Sequence, residues 1–135
     1  MAKAKRRTSR SDPARAFAAA AARAAEDSNA EDIVVLDLRG RSPVTDYFVI
    51  CTGTSDRQMR SVADDVARAG AGMGFRAWHV EGREAGTWIL LDFVDVVVHI
   101  FDRKHRDYYE LELIWGEAPR VRWRRARRTP PAGSE

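Results

Sequence analysis

The sequence predicts a single α/β domain, a mixed β-sheet of about five strands with helices packed on it. Three observations carry that reading. The stretch Trp88 to Phe101, WILLDFVDVVVHIF, is rich in β-branched and aromatic residues and is interrupted once, at Val94-Asp95, as a hairpin would be. Two further apolar runs, Ile33 to Leu38 and Tyr47 to Thr52, are short and separated by the turn residues Arg39-Gly40-Arg41-Ser42-Pro43. Elsewhere apolar residues recur at helical spacing, and the order is helix, two strands, helix, short strand, hairpin, helix.

The hairpin organises the rest. With Val94-Asp95 as its turn, Phe93 pairs with Val96, Leu91 with Val98 and Ile89 with Ile100, and alternation places these six apolar residues on one face. That face should lie under helices. The opposite face carries Trp88, Leu90 and Asp92 beside Val97, His99 and Phe101. A Trp, a Phe and a His around a carboxylate suit a surface closed by another part of the chain or by a partner.

Taken in order, residues 1–11 are polar and basic and read as a disordered arm. Asp12-Pro13 supplies an N-cap followed by proline at the first helical position. The alanine-rich run Ala14 to Glu26 continues that helix, with Phe17 as its only large anchor, so loose packing is expected. After a polar link, Ile33 to Leu38 and Tyr47 to Thr52 form two strands, expected to be antiparallel. Ser55 caps the next helix, which runs to about Ala69 with Met59, Val62, Ala63, Val66 and Ala67 as its buried stripe. The glycine-rich stretch Gly70 to Gly74 ends it. Arg76 to Glu81 reads as a short strand before the hairpin. Asp102 to Arg106 reads as a polar link, and Asp107 to Trp115 as a helix with Tyr108, Leu111 and Trp115 on one face. Gly116 stops that helix, so the domain spans 12–117, and 118–135 reads as a disordered arginine-rich tail.

Composition bounds the function. The chain has 135 residues, 44% hydrophobic and 32% charged, enough for one domain with its own core. No run is long enough to span a membrane and no secretory leader is recognisable. A single Cys51 excludes an internal disulfide and fits a reducing cytoplasm. The net charge of +3 is unevenly spread: from Asp27 to Pro119, ten Lys and Arg face seventeen Asp and Glu, a balance of −7. The remaining segments therefore carry +10. An acidic core suits a basic protein partner, and basic ends suit nucleic acid, although such ends also serve simply as solvated tails. Arg120, Arg122, Arg124, Arg125, Arg127 and Arg128 are the candidate RNA contacts, with Trp123 available to stack on a base.

Catalytic signals are weak. Asp92 and Asp95 do not share a strand face as a magnesium pair requires. Cys51 with His99 as its base would be a nucleophilic pair, but a lone strand cysteine is usually a small buried hydrophobe. His79, His99 and His105 lack the spacing of zinc ligands, so no metal and no cofactor is expected. Thr52-Gly53-Thr54-Ser55 at a helix start would receive a phosphate on its backbone N–H groups, yet lacks the spaced glycines and lysine of a phosphate loop. A capped strand-to-helix turn is the better account of it.

Ser42 to Gln58 (SPVTDYFVICTGTSDRQ), Val80-Glu81-Gly82, the hairpin, and Tyr109-Glu110-Leu111-Glu112 with Trp115 together resemble the Iojap family of ribosomal silencing factors (RsfS). The resemblance covers about Ala30 to Trp115. It implies a nucleotidyltransferase-like α/β fold without catalytic carboxylates, hence no enzyme. It further implies a factor that binds the large ribosomal subunit through its protein fourteen and sterically blocks joining of the small subunit. Translation is thereby repressed, and homodimers are expected. Trp88, Asp95 and His99 match the family's hairpin signature, and Leu90 and Phe101 share the mixed face with two of them. Together these five are the candidate partner contacts. Thr45-Asp46-Tyr47, Ser55 and Arg57 match its other signatures. The chain departs from the family at Val94, where glycine is usual, because valine resists the positive φ of a tight turn. The alternative reading is an RNA-binding or nucleotide-dependent factor in ribosome biogenesis.

Overall fold

The computed structural model describes residues 12–109 and 117–125. In chain order the elements are α1 (Pro13–Asp27), β1 (Glu31–Asp37), β2 (Tyr47–Thr52), α2 (Asp56–Gly72), β3 (His79–Glu81), β4 (Trp88–Asp92), β5 (Val96–Phe101) and α3 (Arg103–Tyr109). The strands form one five-stranded sheet in the order β1-β2-β5-β4-β3. β2 and β5 run parallel, while the other three neighbouring pairs are antiparallel. The sheet is therefore mixed, as expected, and β5 lies at its centre with all six residues buried.

The hairpin has the register that its alternation implies. Ile89 pairs with Ile100 and Leu91 with Val98, and the Phe93 N–H reaches the Val96 carbonyl at 2.9 Å. Its six apolar residues all lie in the main core, together with Val49 and Cys51 of β2. Helices α1 and α2 cover this face.

α1 packs closely rather than loosely. Ala14, Ala18, Ala21, Ala22 and Ala25 are buried around Phe17. The Phe17 ring stacks on Phe75 and meets the Phe93 edge, each at 4.7 Å between centroids. Small side chains allow this close approach, so what reads in the sequence as a lack of bulk is a fit. Asp12 caps the helix as expected, accepting from the Arg15 N–H at 3.0 Å. The same carboxylate accepts from the Tyr47 hydroxyl at 2.7 Å and from Arg39 at 3.1 Å. Arg39 in turn grips Asp37 with two bonds of 2.9 and 2.7 Å. Burial raises the Asp37 pKa, but the Arg39 bonds outweigh it and hold the carboxyl below its ordinary value.

Several boundaries differ from the sequence reading. α2 runs on past Ala69 to Gly72, and Met73 is its C-cap. Gly70 lies inside its last turn because nothing larger fits there. A Cβ at that position would stand 2.9 Å from the Phe75 carbonyl oxygen and 3.1 Å from the Phe17 ring. β3 is confined to His79–Glu81, shorter than the expected run from Arg76. α3 begins at Arg103, where a polar link was expected, because the Asp102 carboxylate accepts from the His105 N–H at 2.8 Å. Its Arg106 is buried and donates to Thr52 Oγ1 at 2.8 Å. The expected helical face of Tyr108, Leu111 and Trp115 lies outside the described side chains, as does the stop at Gly116.

The largest difference concerns the segment after Pro119, expected to be part of a disordered tail. Asp37 N–H donates to the Pro119 carbonyl and Val121 N–H to the Val35 carbonyl, both at 2.8 Å, and Arg120 bridges Leu36 in antiparallel fashion. Val121 and Trp123 are buried in the main core. Arg23 donates to the Trp123 carbonyl at 3.1 Å. Trp123 is therefore a core residue and is not free to stack on a base. The expected arm over 1–11 and the residues after Arg125 lie outside the described residues.

Candidate functional site

The second face of the sheet carries the candidate contacts. Residues paired across a ladder share a face, so Trp88, Leu90 and Asp92 of β4 stand beside Phe101, His99 and Val97 of β5. Phe48 and Ile50 of β2 continue the surface. His99 sits at its centre. Its ring meets Phe48 edge-on at 4.6 Å and lies 5.9 Å from the Trp88 ring. Trp88 also packs against Phe101 at 4.9 Å.

The Trp88 indole N–H donates to His99 Nδ1 at 3.1 Å. Because an indole only donates, Nδ1 must accept, and the imidazole is neutral with its proton on Nε2. Burial pushes the His99 pKa down to about 4. Among the described residues, His99 Nε2 and Thr45 Oγ1 are buried polar atoms without a hydrogen-bond partner.

The five candidate contacts are not equivalent. Trp88 and Leu90 are half-buried, and His99 is buried beneath them. Phe101 is fully buried in a second small cluster with Leu36, Leu38, Ile50 and Ala118, so it supports Trp88 from below. Asp95 is exposed at the hairpin tip, roughly 20 Å along the strands from Trp88 at about 3.3 Å per residue. Its carbonyl accepts from the Asp46 and Tyr47 N–H groups, each at 3.1 Å, which gives the Thr45-Asp46-Tyr47 signature a structural role.

Gly82 sets the entry to β4. Its φ is 80°, and a Cβ there would lie 1.9 Å from the Trp88 carbonyl oxygen. Phe48 is a neighbour of His99 not singled out from the sequence, although its period-two spacing with Ile50 places it on that face. Trp78 is 77% exposed, and no local signal in the sequence marks it.

The catalytic alternatives lose their geometry. Cys51 belongs to the helix-covered core and His99 to the opposite face, and burial pushes the Cys51 thiol up to about 12. The Asp92 carboxylate accepts from the Val94 N–H at 2.8 Å. At the turn after β2, the Gly53 N–H is taken by the Phe101 carbonyl at 2.7 Å and the Thr54 N–H by Gln58 Oε1 at 2.9 Å. Ser55 Oγ accepts from the Gln58 N–H at 3.0 Å, so this is a helix cap. Among the described residues no group of His, Cys, Asp and Glu is placed to hold a metal ion, and no helix is long and apolar enough to cross a membrane.

The sequence model of the family described as "Ribosomal silencing factor during starvation" matches residues 11–134. The chain belongs to that family. It is a family of ribosome-associated regulatory factors, not of enzymes. The ribosomal silencing factor of Bacillus subtilis is 44% identical over 99 residues, which cover 73% of this chain and 84% of the relative. A mouse protein named for mitochondrial assembly of the ribosomal large subunit is 33% identical over 90 residues, 64% of this chain and 40% of its own length. A crystal structure of a Chromobacterium violaceum protein superposes with a TM-score of 0.68 at 32% identity, covering 84% of this chain and 90% of that one.

Proposed function

We propose that this silencing factor docks the Trp88 face on the large ribosomal subunit, through its protein fourteen, and sterically blocks joining of the small subunit. Translation is repressed without any chemistry. The observation that carries the reading is the half-buried Trp88, pinned by its bond to His99 on the face of the sheet opposite the two long helices. A rigid aromatic anchor with a satisfied polar edge is the usual centre of a protein interface. The acidic balance of Asp27 to Pro119 suits a basic ribosomal partner, and the mouse relative's name points to the large subunit.

Contact with rRNA through the arginine-rich segment, a cytoplasmic location and a homodimer belong to the same proposal. β3 ends the sheet, with Trp78 and Val80 exposed there, a surface open to a second copy. The test is co-sedimentation with separated ribosomal subunits. Pelleting with the large subunit alone is the expected result, and pelleting with the small subunit alone overturns the proposal.

A further inference from the structure

The segment after Pro119 alternates in a way its charge conceals. Arg120, Arg122 and Arg124 are exposed, while Val121 and Trp123 between them are buried. The backbone is tied to β1 from Pro119 to Val121 and to α1 through the Arg23–Trp123 bond, with a bend at Arg124, so the arginines stand on a strip fixed to the domain. Residues two apart on such a strip are roughly 6.6 Å apart, of the same order as successive phosphates on an extended nucleic-acid strand. Arg120 shares the face of its bridge partner Leu36, which packs in the cluster with Phe101 and against Trp88. The strip therefore borders the aromatic face.

The acidic residues of β1 and of the end of α1 are held by other arginines. Arg103 holds Glu31 and Asp32, Arg39 holds Asp37, and Arg125 holds Asp27 at 2.9 Å. Arg124 lies 4.6 Å from the Trp123 ring centroid, which orients its guanidinium. We propose that Arg120, Arg122 and Arg124 form a preorganised rail for the phosphates of RNA, continuous with the protein-docking face. Arg125, though adjacent, is not part of it. The inference rests on the rRNA contact proposed above and narrows it to three residues, and the rail is measurable on free RNA, apart from docking.

The experiment is fluorescence anisotropy of the full chain with a labelled oligouridylate between about 50 and 200 mM salt. For single strands each phosphate contact contributes about 0.7 to the slope of log affinity against log salt. The triple variant Arg120→Gln, Arg122→Gln, Arg124→Gln should therefore flatten the slope by about 2, and Arg122→Gln alone by about 0.7. Arg125→Gln should leave it unchanged. A wild-type slope in the triple variant overturns the rail, as does an equal loss from Arg125→Gln. Thermal melting checks the fold, and Arg122→Gln decides the matter if the triple variant unfolds. Trp88→Ala should keep the RNA slope, so failure of the docking reading is separately visible in subunit pelleting.

Discussion

Across the β4–β5 ladder, the Trp88 indole N–H donates to His99 Nδ1 at 3.1 Å, and that bond holds only while His99 is neutral. Protonation would set two donors against each other inside a buried cluster. With a folded pKa of about 4 against an unfolded value of about 6.5, the native state refuses a proton that the unfolded state accepts. Stability from this group is complete above a pH of about 6.5, falls as pH drops towards 4 and then levels off. The loss amounts to about 3 kcal/mol. Urea unfolding at neutral pH and near the folded pKa should show it, and His99→Gln should remove most of that difference.

Trp88→Ala should weaken large-subunit binding by about 2 kcal/mol, roughly thirtyfold. Trp88→Phe keeps the packing on Phe101 and loses only the donor, so its binding should be intermediate. Pelleting with purified large subunits measures both. Wild-type binding by Trp88→Ala would move the docking surface elsewhere.

Val94 carries a φ of 77° in a turn where the Asp95 N–H reaches the Phe93 carbonyl at 3.0 Å, a γ-turn with positive φ at its centre. A β-branched residue is strained there. The Asp92 carboxylate holds it by accepting from the Val94 N–H. Val94→Gly should raise stability by about 1 kcal/mol in chemical denaturation. A loss of stability would show that the valine side chain contributes contacts that outweigh the strain.

The hairpin register is legible in the sequence because period-two alternation runs from Trp88 to Phe101 with one break. The caps at Asp12 and Ser55 are legible for the same local reason. What stays hidden is non-local. Charge masks the alternation of Arg120 to Arg124, and nothing near it in the sequence shows that β1 has an open edge to receive it. Phe101 reads as a surface residue because its cover, Leu36, Leu38 and Ala118, comes from distant parts of the chain.

That hidden strip gives the last prediction. Trp123 is 6% exposed and Val121 5%, and both lie in the core that α1 covers. Truncating a buried Trp to Ala typically costs about 3 to 5 kcal/mol, a large share of a domain's net stability of roughly 5 to 15 kcal/mol. Trp123→Ala should therefore lower the denaturation midpoint strongly, and a chain ending at Pro119 more strongly still. Were the Pro119 truncation as stable as the full chain, the segment would be a detachable tail and the arginine strip would lose its anchor.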